Sequence, residues 1–112
     1  MFEYTIDLEM ELTRLVGSYQ IIIPCSVKNE LKILAKKGKS KRAQNSQAAL
    51  KLIQKYQVLP DEDRPVDDNI ILLALELHAY VVTNDKELRN RLRGKYIGVI
   101  FLRGKQKLEI DN

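Results

Sequence analysis

Four acids stand where an α/β chain could do chemistry. Asp85 lies just past the apolar run Ala79-Tyr-Val-Val-Thr83, and Asp67 and Asp68 open the apolar helical pattern that feeds that run. Glu30 sits in the first helical pattern after Gln20-Ile-Ile-Ile-Pro24. In a parallel α/β sheet such positions can share the edge where the strands end. Carboxylates meeting there repel one another unless a cation lies among them. Oxygen donors without a His or Cys cluster favour Mg²⁺ or Mn²⁺. An ion of that kind activates a water and stabilises the charge of an in-line phosphoryl displacement. Each acid also has a plainer role. Asp67, Asp68 and Asp85 could cap helices or meet the helix dipole, as could Asn84, and Glu30 could pair with a surface lysine.

The basic residues fall into two segments. Nine Lys or Arg and one acid lie between Lys28 and Lys55, and eight and one acid lie between Lys86 and Lys107. Lys36, Lys37, Lys39, Lys41 and Arg42 form one dense run; Arg89, Arg91, Arg93 and Lys95 form the other. Acids gather instead at the N-terminus and from Asp61 to Asp68. This separation suits a surface that holds a polyanion beside an acidic spot, and single lysines also suit solvated helix faces. Other chemistry is poorly supplied. Cys25 reads as a small buried residue, and His78, the one histidine, lies in an apolar helical pattern, so nothing pairs them as nucleophile and base. There is no phosphate-binding glycine loop. The five tyrosines are scattered, with Tyr80 expected in the core and Tyr96 half exposed.

Alternating elements must position these residues. Ile6–Val16 has helical spacing and Gly17 to end it; Gln20–Pro24 is a short strand; Ser26 is placed to cap the next helix. Lys36–Arg42 has no apolar anchor and reads as a mobile loop. Helical spacing returns over Ala43–Tyr56, followed by a strand at Gln57–Pro60 and a loop at Asp61–Pro65. A helix opened at Val66 leads to a strand at Ala79–Thr83. A helix over Lys86–Arg93, ended by Gly94, leads to a strand at Ile97–Leu102 and a polar tail in which Leu108 and Ile110 alternate. Strands alternating with helices predict an α/β layered fold with a mostly parallel sheet.

The 112 residues suit one domain, with 45% hydrophobic and 30% charged residues, a net charge of +4 and a pI near 9.2. One cysteine cannot form an internal disulfide. No apolar run reaches the roughly 18 residues of a membrane span, and the acidic, amphipathic N-terminus is not a signal peptide. The expectation is a cytoplasmic protein with no membrane partner.

The stretches "IIIPCSVKNEL", "VDDNIILLALELHAYVVTNDKELRNRLR" and "GVIFLRGK" resemble the PIN-domain nucleases over nearly the whole chain. The likeness is greatest to the archaeal branch related to the ribosomal-RNA-processing protein Fcf1. The resemblance implies a three-layer α/β/α sandwich and RNA cleavage with Mg²⁺ or Mn²⁺ held by three or four acids. It implies Glu30, Asp67 and Asp85 as catalytic and metal-binding acids. Asp68, Thr83 and Asn84 would support them, and the two basic segments would hold RNA. The family's first acid belongs to an Asp-Thr-Asn motif ending a central first strand. Met1-Phe-Glu-Tyr4 carries no such motif, and Asp7 lies within the helical pattern. The chain is therefore expected to be a single PIN-like domain over residues 1–112. It would lack that strand, have an impaired metal site, and cover its open edges by self-association, for example as a homodimer, or by a shifted terminal segment. Alternatives are a non-catalytic RNA- or ribosome-binding module and, ranked lower, a toxin nuclease held by an antitoxin.

Overall fold

The computed structural model describes residues 7–104 and 107–111. The order is α1 (Leu8–Val16), β1 (Ile22–Pro24), α2 (Cys25–Ala35), α3 (Lys41–Ile53), β2 (Gln57–Leu59) and α4 (Val66–Leu77). Then come β3 (Val81–Val82), α5 (Lys86–Gly94), β4 (Val99–Arg103) and β5 (Lys107–Asp111). The absent motif at Met1–Tyr4 lies outside the described residues. The chain divides into two compact units. One contains Gln20–Asn69, and the other contains α1 and the chain from Ile70 onward.

In the Gln20–Asn69 unit, β1 and β2 pair in parallel, with Ile23 opposite Val58. Ala43, Ala49 and Ile53 form the buried side of α3. The basic run is not wholly a loop. Ser40 accepts a bond from the Ala43 N–H and starts α3 at Lys41, so Lys41 and Arg42 are helical. Ser26 does not cap its own helix. Pro24 occupies that position without a side-chain bond, and Ser26 is the second helical residue.

In the other unit, β3 and β4 pair in parallel and β5 returns antiparallel to β4, placing Leu108 opposite Leu102. The parallel pairs follow from helical connections, as the alternation predicted. β5 was not legible as a strand, because its alternation covers only two apolar residues. Ile71, Ala74, Leu88, Leu92, Ile97 and Val99 form the core, and Leu92 and Val99 are fully buried. Burying each such side chain contributes roughly 1.5–3 kcal/mol.

Helix α1 guards the outer edge of β5. The Leu108 N–H donates to Glu11 Oε1 (3.0 Å), and the Leu108 carbonyl accepts from Arg14 Nη2 (2.9 Å). Glu11 and Arg14 also pair directly at 3.0 Å. The edge strand thus has outward backbone groups satisfied by an ion pair, which discourages pairing with another chain. Asp7 lies before α1, not within it; its carboxylate caps the helix through the Met10 N–H.

Candidate nuclease site

Thr83, Asn84 and Asp85 form a braced corner at the end of β3. The Asp85 N–H donates to Thr83 Oγ1 (3.1 Å). Asn84 Oδ1 accepts from the Leu102 N–H (2.7 Å), fastening the corner to β4. Asp85 Oδ1 accepts from the Glu87 and Leu88 N–H groups (2.9 and 3.1 Å) and starts α5. The helix dipole adds to that preference for a negative group. Asp85 is therefore a cap, as the plainer reading held. Its carboxylate is exposed, and Oδ2 takes no part in these bonds. An ionised carboxylate offers about four lone-pair sites, so capping leaves it able to bind a cation.

Asp67 and Asp68 lie in the first turn of α4 and are half-buried. Glu30 is the sixth residue of α2 and is exposed. Glu30, Asp67 and Asp68 belong to the Gln20–Asn69 unit, and Asp85 belongs to the other. Among the described residues, no three His, Cys, Asp or Glu side chains stand together as a ready-made metal site. The chemistry of the donors still suits a hard cation, because the four acids, Thr83 and Asn84 offer only oxygen as acceptors.

One constellation escaped the sequence reading. Asp61 Oδ2 accepts from the Ser26 N–H (3.0 Å) and from the Ser26 hydroxyl. The buried Asn69 amide donates to the Glu62 carbonyl (3.0 Å) and, at 3.4 Å, to Ser26 Oγ and the Arg64 carbonyl. Asp61 thus caps α2 from 35 residues away. A signal was present: Leu59-Pro60-Asp61 repeats the order of strand followed by acid that singled out Asp85.

The basic segments differ. Lys36, Lys37 and Lys39 are exposed on the loop before α3, and Lys41 and Arg42 are exposed in its first turn. Arg89 instead lies 3.8 Å over the Phe101 ring, and its guanidinium bonds Asp111 at 3.1 Å. Arg93 reaches the same carboxylate at 3.5 Å. Arg91 and Lys95 are exposed.

The side chains set aside for other chemistry also move. Cys25 is half-buried and begins α2. His78 lies beyond α4, exposed and at positive φ. Tyr80 is 49% and Tyr96 98% exposed, so Tyr80 is not core and Tyr96 is more than half exposed. Gly94 is the last residue of α5 instead of its terminator. No helix among the described residues is long and apolar enough to cross a membrane.

Comparison with known proteins places the fold in a family. The PIN like domain family matches residues 2–105. Ribonuclease VapC4 of Methanocaldococcus jannaschii is 34% identical over 116 positions, covering 98% of this chain and 87% of that one. Ribonuclease VapC9 of Archaeoglobus fulgidus is 29% identical, covering 85% and 70%. The structure of the PIN domain endonuclease Utp24 superposes with a TM-score of 0.75 at 24% identity, over 94% of this chain and 77% of that one. The last likeness establishes the fold, and the family match with the first relative establishes descent: the chain belongs to the PIN like domain family.

Proposed function

We propose that this protein is an endoribonuclease that hydrolyses RNA phosphodiesters with Mg²⁺ or Mn²⁺. The observation that carries the reading is the braced Thr83-Asn84-Asp85 corner, an exposed acid fixed at a strand end in a chain of this family. Relatives named as ribonucleases support RNA as the substrate class. Glu30, Asp67 and Asp85 are the acids that would hold the cation, with Asp68, next to Asp67 in the chain, in support. The cation, when bound, would supply an activated water and neutralise charge at the phosphoryl group. Asp85 contributes a carboxylate whose direction is set by two backbone bonds. Thr83 and Asn84 hold the corner rigid. Lys36, Lys37, Lys39, Lys41 and Arg42 attract the phosphate backbone.

The test is cleavage of a labelled RNA across an Mn²⁺ titration, with Asp85→Asn and Glu30→Gln alongside. Asn also caps helices well, so Asp85→Asn keeps the fold while removing the charge. The expected result is metal-dependent cleavage that falls by at least about a hundredfold in either variant, roughly the loss of a principal electrostatic contact. Equal cleavage by wild type and Asp85→Asn removes Asp85 from the site. Salt-dependent RNA binding with no cleavage at any metal concentration makes the chain a binding module.

A further inference from the structure

Two side chains occupy backbone positions that normally require glycine. α4 ends with the Ala79 N–H bonded to the Ala74 carbonyl (3.0 Å), and α5 ends with the Ile97 N–H bonded to the Leu92 carbonyl (3.0 Å). The Tyr96 N–H bonds the Arg93 carbonyl at 3.1 Å. These are Schellman closures, whose left-handed residue is most often Gly. Here it is His78 (φ 53°) in one and Tyr96 (φ 59°) in the other. They are the described non-glycine residues at positive φ, and a bulky residue there is strained. Burial does not compensate Tyr96, whose surface is 98% exposed.

Both residues border one cleft. His78, Tyr80 and Tyr96 line it, with the buried Ala74 and Ile97 and the backbone of Gly98 completing it. Its volume is about 330 Å³, near the lower end of the roughly 300–1,000 Å³ of small-ligand pockets. It opens at the start of β3 and β4, the opposite end of β3 from Asp85. Three rings in a lining of mixed polarity suit a flat heterocycle with polar edges, because aromatic faces stack on bases with little sequence preference. The exposed Lys95, adjacent to Tyr96, supplies a cation for a neighbouring phosphate.

We infer that this cleft is a nucleobase subsite that holds one unstacked base of single-stranded RNA against Tyr96. It rests on the reading of RNA as substrate and adds a contact at the opposite end of β3 from Asp85.

The test is binding of the full chain to a fluorescent oligouridylate in EDTA, so that cleavage plays no part. Tyr96→Gly relieves the backbone strain, so its denaturation midpoint should equal or exceed that of the wild type. Its affinity for the oligomer should nonetheless fall about tenfold, while Tyr96→Phe retains binding. An abasic oligomer of the same length should bind wild type and Tyr96→Gly equally. Undiminished binding by folded Tyr96→Gly overturns the subsite, as does an equal loss on the abasic oligomer. Binding of free UMP with no preference for base-bearing over abasic oligomer overturns RNA as the occupant. Tyr96-dependent binding without metal-dependent cleavage keeps the subsite and rejects the nuclease; cleavage with Tyr96-independent binding does the reverse.

Discussion

Asp61 and Asp85 each follow a short strand, and each accepts at the start of a helix, Asp61 from one backbone N–H and Asp85 from two. Their surroundings give them different work. Asp61 uses one oxygen for both the backbone and the hydroxyl of Ser26, within a network closed by buried Asn69. Asp85 caps the helix directly after it and stands exposed, with Oδ2 outside the capping bonds. An acid that caps a distant helix ties two segments of the chain together. An acid that caps its own helix holds only its own direction, which is what a ligand needs.

The largest expected stability effect tests that division. Asp61→Ala leaves the first turn of α2 and the Ser26 hydroxyl without their acceptor, and charged hydrogen bonds of this kind are worth about 1.5–3 kcal/mol. A loss of about 2–3 kcal/mol is expected in urea unfolding. Asp85→Asn should stay within about 0.5 kcal/mol of wild type, since Asn serves as well as Asp at a cap. Equal losses in the two variants would erase the distinction between a structural and an available acid.

A smaller effect extends the comparison to the basic segments. Arg89→Ala removes a guanidinium stacked on Phe101 and bonded to Asp111, at a cost of about 1–2 kcal/mol. The triple change of Lys36, Lys37 and Lys39 to Ala should shift stability by less than about 0.5 kcal/mol, because exposed loop charges carry little folding energy. It should instead lower RNA affinity and flatten its salt dependence. If the triple variant unfolds early and Arg89→Ala does not, the assignments of the two segments are reversed.

The legibility of these features in sequence follows the range of the interactions behind them. Helices and parallel strands were readable because apolar spacing and the Gly17 and Pro24 breaks are local signals. Asp85 was readable because the acid, the cap and the strand end lie within five residues. Ser26 was misread because its partner is 35 residues away, and a capping residue is recognised only from its neighbours. Tyr80 and Tyr96 were misplaced because ring hydrophobicity favours burial, whereas positive φ at Tyr96 turns on the closure of α5 and not on composition. The role of Arg89 depends on Asp111, a residue in a strand too polar to announce itself.

A third acid shows the same contrast through pH. Glu11 is held to about 2, from an ordinary value near 4.5. The main cause is the Arg14 hydrogen bond, followed by the Leu108 N–H, with partial burial opposing both. A carboxyl depressed in the folded state binds fewer protons folded than unfolded, so it contributes stability above the unfolded value. That contribution is complete above about pH 4.5 and disappears as pH falls toward 2. Glu11→Gln lacks it. The stability difference between wild type and Glu11→Gln, measured by urea unfolding, should be constant at neutral pH and shrink between pH 4.5 and 2. The Glu11 carboxylate would then be a structural anchor for β5, in the class of Asp61 and not of Asp85. A difference that stays constant down to pH 2 would mean that the Leu108 edge is held by packing alone and that the ion pair of α1 is incidental to it.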